Sequence, residues 1–530
     1  MSERKLLLGD EAIALGALHA GLSGVYAYPG TPSTEITEYI QSSPYAREMG
    51  VRSRWCTNEK TAMEAALGMS YAGKRALVCM KHVGMNVCAD AFINSAVTGV
   101  GGGLVVLAAD DPSMHSSQNE QDSRFYGKFA MVPIIEPSNQ QEAYELTIKA
   151  FDLSEELGVP VLLRVVTRLA HSRAAVNTGE PRPQNGLNPS DSRGWVLLPA
   201  IARKQYLKLI DKQQAIAAAA ADCGATKLEL CPKKGAPGII ACGIAYNYVI
   251  DRLAAFPGKE VNILKVSQYP LPEEKVRSLA ENSSEIMVFE DGQPVAEEAL
   301  RAIVGAGFTI KGRLTCDLPR TGELDPDSVA AALGLPAAET FSKAQNLAAR
   351  PPQLCPGCGH RDVYNALNEV VSEFPEARIF GDIGCYTLGA LPPFSALASC
   401  VDMGASITMA KGAADSGLYP AIAVIGDSTF THSGMTGLLD AVNDGSDITV
   451  VISDNLTTAM TGGQDSAGTS KFEAICAALG VAPEHVRVVV PTPGKIPEIK
   501  KILREEIEYH GVSVVIPRRE CMQTIKRKKK

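Results

Sequence analysis

Short uninterrupted apolar runs alternate along this chain with longer stretches in which apolar positions recur every three to four residues. A run that is apolar throughout fits a strand buried on both faces, and the intervening period fits the crossover helices of a parallel sheet. Runs at 24–28, 76–80, 104–108 and 159–166 predict buried strands, with helices over 61–71 and 140–157 between them. The pattern ends near 170. The Pro/Gly/Asn-rich stretch to about 188, closing on NTGEPRPQNGLNP, predicts a linker that leaves the first domain. A charged helical passage leads to a second block, which opens at 238 with GIIACGIAYNYVIDRLAAF and continues with strands at 261–266 and 286–290. Residues 341–352 (FSKAQNLAARPP) predict a second linker, and a third block runs to the end. The expected fold class is α/β, with three doubly wound parallel-sheet domains over 1–190, 191–345 and 346–530.

Composition narrows the function. The chain has 530 residues, 45% hydrophobic and 21% charged, enough for several buried cores. A net charge of -8 gives no basic excess for a nucleic-acid surface, and the basic 526–530 read as a solvated tail. The N-terminal MSERKLLLGDEAIALGALHAG has no apolar h-region with a cleavage site, and no run of about eighteen apolar residues occurs. A cytoplasmic protein without a membrane span is expected. Most of the 13 cysteines, such as Cys79, Cys88, Cys242 and Cys476, stand singly among apolar residues and read as reduced core positions. Gly-x-Gly-x-x-Gly is absent from the second block, so its glycine turn carries no dinucleotide signal.

The chemistry concentrates in the third block. Residues 421–425 form an apolar strand that stops at Gly426-Asp427-Ser428. A helix is predicted over 435–442, and a second strand over 448–453 stops at Asp454-Asn455. Both ends then emerge on one edge of a parallel sheet, where such sheets place ligands. Alone, Asp427 reads equally as a helix cap and Asn455 as a turn residue. Together, a carboxylate and an amide carbonyl can face one hard cation, and Mg²⁺ takes few protein ligands and completes its shell with phosphate and water.

Gly-Asp-Ser, twenty-five residues, then Asp-Asn resembles the thiamin diphosphate motif. That resemblance assigns the Mg²⁺ ligands to Asp427, Asn455 and the backbone carbonyl of Thr457; Ser428 replaces the usual second glycine. Such cofactors require a glutamate from a separate pyrimidine-binding domain, held in an apolar pocket. Glu59, at the entry to a helix, is the candidate, although a first-turn acid is also favoured there by the helix dipole. Glu64 lies within the helix, where solvent or a nearby Lys is the expected partner.

YPGTPSTEI (28–36), NEKTAMEAALG (58–68), MKHVGMNVCAD (80–90), ADDPSMHSSQNEQDSR (109–124), CPGCGH (355–360) and GDSTFTHSGMTGLLDAV (426–442) together resemble the alpha subunits of the indolepyruvate:ferredoxin oxidoreductases, within the wider 2-oxoacid:ferredoxin oxidoreductases. The resemblance implies a pyrimidine domain, a transketolase-C-like domain and a diphosphate domain, in that order. It implies oxidative decarboxylation of an aryl pyruvate with thiamin diphosphate and Mg²⁺, coenzyme A as acyl acceptor, and electrons passed to ferredoxin. It further implies that Glu59 is the pyrimidine partner and that Thr31 lies near the substrate carboxylate, with His82 and the loop holding His115, Ser116, Gln118 and Asn119 as weaker candidates for lining the pocket. Cys358, Gly359, His360, Gly384 and Cys385 are implied near the diphosphate and thiazolium, with Gly426 and Ser428 in the motif loop. Met403, Gly404 and Ala405 are implied beside the aminopyrimidine. The implied partners are a small beta subunit and ferredoxin or an iron–sulfur subunit, in a dimer of heterodimers.

One departure bears on the electrons. The family's ferredoxin-like module with two Cys-x-x-Cys-x-x-Cys-x-x-x-Cys runs has no counterpart in these residues, so no iron–sulfur cluster is expected in this chain. Cys355 and Cys358 make half a metal site; Cys385, Cys400 and Cys521 stand singly, and the pair reads as structural or cofactor-lining. A non-oxidative thiamin-dependent decarboxylase is the alternative. Trp55, near Glu59, is a core residue or part of an aromatic pocket, and spacing does not identify the 2-oxoacid.

Overall fold

Ala76–Lys81, Leu104–Asp110 and Val161–Val166 are buried at every position and form the centre of a seven-stranded sheet. Its order is Gln268–Tyr269, Ile134–Ile135, Val161–Val166, Leu104–Asp110, Ala76–Lys81, Gly24–Ala27, Arg52–Trp55. All neighbours are parallel except the outermost pair, Gln268–Tyr269 against Ile134–Ile135. The edge strand Arg52–Trp55 (RSRW) alternates between exposed and half-buried positions and carries no apolar run, which is why periodicity alone misses it. Helices Gly9–His19 and Gln140–Leu157 pack together, as do Glu59–Tyr71 and His82–Thr98. The computed structural model describes residues 3–189, 192–336, 342, 344–348 and 351–528, so the predicted linker at 341–352 lies partly outside them.

The first predicted linker behaves differently from expectation. Arg173–Asn177 pairs antiparallel with Arg4–Leu8, and the proline-rich stretch beyond it stays on the domain. Gln184 Nε2 donates to the carbonyls of Leu22 and Met49 at 2.9 and 3.1 Å, and the Asn188 amide donates to Ala72 O at 3.0 Å. Turn-forming composition here marks a surface strap.

A second sheet runs Ile310–Lys311, Ser283–Phe289, Ala236–Cys242, Asn262–Val266, Lys227–Glu229, parallel except for the last. Two fully buried guanidinium groups tie it to the first. Arg124 bonds Asp122, Glu290 Oε2 at 2.8 Å and Asp291 O at 3.1 Å, while Arg164 bonds Asp110 at 2.6 Å, Glu136, and Asp291 O at 2.9 Å. Removing one partner of such a buried network costs about 3–5 kcal/mol, because a charge is left uncompensated. The two sheets accordingly belong to one unit, Met1–Ser342, and a second unit comprises Lys343–Lys530.

The second unit is built on five parallel strands in the order Arg378–Gly381, Ala421–Gly426, Ile448–Ser453, Val512–Pro517, Val486–Val489. Alternate side chains leave the sheet toward two cores. Ile422, Val424, Val451 and Val515 join helices Gly359–Val371 and Ile496–Glu508; Ala423, Ile425, Val450, Ile452 and Val514 join Ala405–Asp415, Met435–Asp444 and Phe472–Ala478. Each fully buried Val or Ile contributes about 1.5–3 kcal/mol, so both faces are committed and ligands are left only the strand ends. No helix among the described residues is long and apolar enough to cross a membrane.

Candidate active site

Three strand-to-helix transitions of the second unit meet at the carboxyl edge of its sheet. The middle one is the motif loop. Its helix begins at Asp427 and not at 435, passing through a π-helical turn, Phe430–Gly434, before Met435–Asp444. Gly426 to Ser433 lack apolar periodicity, so only the later part is legible. An N-terminus at Asp427 directs backbone N–H groups at the loop, a setting that favours an anion.

The neighbouring strand brings Asn455 to the same place, because Gly426 pairs in register with Ser453. The Thr457 amide donates to Asp427 Oδ2 and to Asn455 Oδ1, at 3.1 Å in each case. Two oxygens that share one donor lie within reach of one cation. Leu456, between them, takes the left-handed conformation at φ 63°, a strained choice for a non-glycine residue that bends the chain so that its neighbours face Asp427. Burial pushes the Asp427 carboxyl up to about 7, with Asp454 adding to the shift and the Ser428 and Thr457 amides opposing it. A cation would remove that penalty. Ser428 directs its hydroxyl at Thr458 Oγ1, 2.7 Å away, which accounts for the tolerance of a side chain at this glycine position.

The first transition is organised by Asp382, a residue the sequence reading leaves without a role. It accepts from the amides of Gly404 (3.1 Å) and Ser406 (3.2 Å), from Ser406 Oγ (2.7 Å) and from the Tyr386 hydroxyl. The loop carrying Met403, Gly404 and Ala405 is thereby fixed to the sheet edge. Gly404 has φ 95°, and a Cβ there would come within 2.7 Å of Ser433 Cβ, so only glycine fits. The Tyr386 ring lies against Gly384 and Gly426. Burial pushes the Asp382 carboxyl up to about 6 and lowers the His360 imidazole to about 4, leaving His360 neutral beside Tyr386.

A cavity of about 150 Å³ lies at the same edge, lined in part by Cys358, Gly359, His360, Cys385 and Asn455. It is also lined by Cys355 and Cys521. The structure thus gathers four thiols that the sequence presents as one pair and two single residues. Cys358 is the N-cap residue of helix Gly359–Val371, and Arg519, paired with Asp362 at 3.1 Å, lines the wall. Burial pushes the Cys358 thiol up and the Cys385 thiol up to about 12.

The first unit holds the remaining candidates. Glu59 is buried at the start of its helix, and its side chain lies so close over Gly84 that a Cβ there would sit 2.6 Å from Glu59 Cγ. Glu64 pairs with Lys60 on the outer face. Thr31 is in the loop between strand Gly24–Ala27 and helix Thr34–Ser42, a loop held by Ser33 Oγ donating to Gly30 O at 2.8 Å. His82 is buried at the head of its own helix, and desolvation keeps its pKa below the usual value. His115, Ser116, Gln118 and Asn119 are exposed. Lys81, one residue beyond the predicted strand 76–80 and the last of the observed one, is a buried cation bonded to Ser116 O at 2.6 Å; burial lowers it to about 8. Its stem packs against Gly30, next to Thr31.

Comparison with known proteins agrees with this geometry. Residues 15–194 match the family described as pyruvate flavodoxin/ferredoxin oxidoreductase, thiamine diphosphate-binding, and residues 382–516 match the C-terminal TPP-binding domain of thiamine pyrophosphate enzymes. The indolepyruvate oxidoreductase subunit IorA of Methanothermobacter thermautotrophicus is 37% identical over 98% of this chain and 87% of its own length. Those of Archaeoglobus fulgidus and Thermococcus kodakarensis are each 38% identical, over 98% of this chain and 86% of theirs. Among solved structures, a 2-oxoglutarate:ferredoxin oxidoreductase from Magnetococcus marinus, with 2-oxoglutarate, coenzyme A and succinyl-CoA bound, shares the fold at a TM-score of 0.50 and 16% identity, over 58% of this chain and 62% of that one. Fold and site therefore define a thiamin diphosphate-dependent 2-oxoacid:ferredoxin oxidoreductase. Within that class, the chain belongs to the family of indolepyruvate oxidoreductase IorA subunits.

Proposed function

We propose that this chain is the catalytic subunit of an enzyme that oxidatively decarboxylates aryl pyruvates, of the indolepyruvate or phenylpyruvate type, to an acyl-CoA and CO₂, with electrons leaving for ferredoxin. The relatives are oxidoreductases, which sets aside the non-oxidative alternative. The observation that carries the reading is the single Thr457 amide shared by Asp427 and Asn455. Those two side-chain oxygens, with the Thr457 carbonyl, suit a Mg²⁺ ion that keeps its remaining positions for a diphosphate and water. Thiamin diphosphate, when bound, supplies the carbon nucleophile and the electron sink that 2-oxoacid decarboxylation demands.

The chain's own residues have the following roles in this reading. Glu59 holds a proton against the aminopyrimidine, and Gly84 gives its side chain room. Cys358, Gly359, His360, Gly384 and Cys385 line the diphosphate and thiazolium side, while Met403, Gly404 and Ala405, fixed by Asp382, line the pyrimidine side. Thr31 and Lys81 receive the substrate carboxylate, and neutral His82 lines the pocket. The functional domains are 1–190, 191–345 and 346–530. A small beta subunit and ferredoxin complete the enzyme, as a dimer of heterodimers in the cytoplasm, and coenzyme A accepts the acyl group.

The four thiols at one cavity support a second reading of the electron route, in place of the expectation that this chain carries no cluster. No three of these sulfurs gather within 4.8 Å of one another, whereas a single tetrahedral zinc draws its thiolates to about 3.8 Å apart. Four cysteines lining one cavity are the ligand type that an iron–sulfur cluster takes, and this reading assigns the cavity to one. Iron and acid-labile sulfide in anaerobically purified protein, lost in Cys385→Ser, support this; their absence refutes it.

The overall test is turnover of a 2-oxoacid panel with coenzyme A and a viologen dye, with and without the candidate small subunit. Acceptor-dependent acyl-CoA formation, fastest with aryl pyruvates, is expected. Aldehyde release without acceptor or coenzyme A would overturn the reading.

A further inference from the structure

Asp10, Glu35 and His171 meet from three helix ends of the first unit. Asp10 is the second residue of Gly9–His19, Glu35 lies in the first turn of Thr34–Ser42, and His171 closes Thr167–His171. One ligand atom of each lies within 4.8 Å of the other two. Asp10 is wholly buried, and neither of its carboxylate oxygens has a hydrogen-bond partner. Glu35 Oε2 is likewise buried and unpartnered, while Glu35 Oε1 lies 3.6 Å from His171 Nε2.

This arrangement is costly as it stands. A buried ionised carboxylate without a donor loses several kcal/mol of hydration, and among the described residues no lysine or arginine pairs with Asp10 or Glu35. Protonating Asp10 removes the charge but leaves a hydroxyl and a carbonyl unbonded, which is still unfavourable. One ion can take an oxygen of Asp10 on the inner side, an oxygen of Glu35 and the imidazole of His171, since one ligand atom of each lies within 4.8 Å of the other two. Half-exposed Glu35 and His171 give the ion a way in from solvent and leave room for water ligands.

We propose that Asp10, Glu35 and His171 form a binding site for a divalent transition-metal cation, separate from the diphosphate site. Two carboxylates and one imidazole suit Mn²⁺ or Zn²⁺ better than Ca²⁺ or Mg²⁺, which favour all-oxygen shells. The ion acts on position. Helix Thr34–Ser42 follows directly on the loop that carries Thr31, so clamping Glu35 to Asp10 fixes the start of that helix and the loop before it.

Mn²⁺ tests this, because it discriminates against thiols. The probe is Mn²⁺ alone, titrated into chelator-stripped full chain carrying Asp427→Asn, with free Mn²⁺ read by electron paramagnetic resonance. One saturable site per chain is expected, weakened at least tenfold when Asp10→Asn or His171→Gln is added. His171 is partly exposed, so its substitution keeps the test available if Asp10→Asn does not fold. Absence of a saturable site, or a site indifferent to both substitutions, overturns the proposal. So does a chain with Asp10 intact whose melting temperature does not respond to Mn²⁺ while Asp10→Asn raises it, since that identifies Asp10 as a neutral acid.

Discussion

Asp427 and Asn455 accept hydrogen bonds from one backbone amide, that of Thr457, at 3.1 Å each. Adjacent parallel strands end in register beneath them, and the left-handed Leu456 turns the second strand's exit back toward the first. The proposed cation site therefore rests on backbone geometry that two fully buried strands hold in place.

A proton competes with the cation at this site. Because burial raises the folded-state pKa of Asp427 to about 7, only the unfolded chain is ionised there between roughly pH 4 and 7. Without metal, the site costs stability as pH rises through that window, by up to about 4 kcal/mol, and the cost is flat above it. Thermal melts of the metal-free chain should lose stability from this group between pH 5 and 7. Calorimetric titration should show Mg²⁺–thiamin diphosphate affinity falling about tenfold per pH unit below 7. An affinity constant from pH 5.5 to 7.5 would contradict the assignment.

Glu59→Gln should retain cofactor binding within a few-fold and lose about 10²–10⁴ in kcat, the usual range for a proton-transfer group. Glu64→Gln, which removes only an exposed pair with Lys60, should leave kcat within about twofold. Steady-state rates with saturating cofactor decide the matter; equal effects of the two substitutions would remove Glu59 from its role.

Gly84→Ala separates stability from function. Within helix His82–Thr98, alanine is intrinsically better than glycine by about 1 kcal/mol, yet its Cβ would lie 2.6 Å from Glu59 Cγ. The glutamate must therefore shift. A melting temperature within a few degrees of the parent with kcat reduced at least tenfold is expected; full activity would show that Glu59 does not depend on this contact.

The sequence reading was accurate where burial is continuous. Strand Ile448–Ser453 and helix Gln140–Leu157 fall on the predicted bounds, since a run buried on both faces, or about five turns of amphipathic helix, leaves a local signature. Asp427 and Asn455 stand out in the sequence because their residue types follow two apolar runs at a set spacing, and the structure brings both side chains onto the Thr457 amide. Edge strand Arg52–Trp55 and the polar first turns after Gly426 leave no such trace. The roles of Asp382, Lys81, the four thiols at one cavity and the Asp10–Glu35–His171 cluster depend on contacts between distant segments, which periodicity does not carry.

The most direct test of the central claim is a double-mutant cycle on cofactor affinity. Thiamin diphosphate is titrated calorimetrically into the full chain with Mg²⁺, using the parent, Asp427→Asn, Asn455→Ala and the double variant. If both side chains hold one ion, each single change weakens binding by about 100-fold and the double change adds little, because contacts acting on one centre are not additive. Chelation of Mg²⁺ from the parent should reproduce the same loss. Additive effects of the two substitutions, or affinity indifferent to Mg²⁺, would contradict the account.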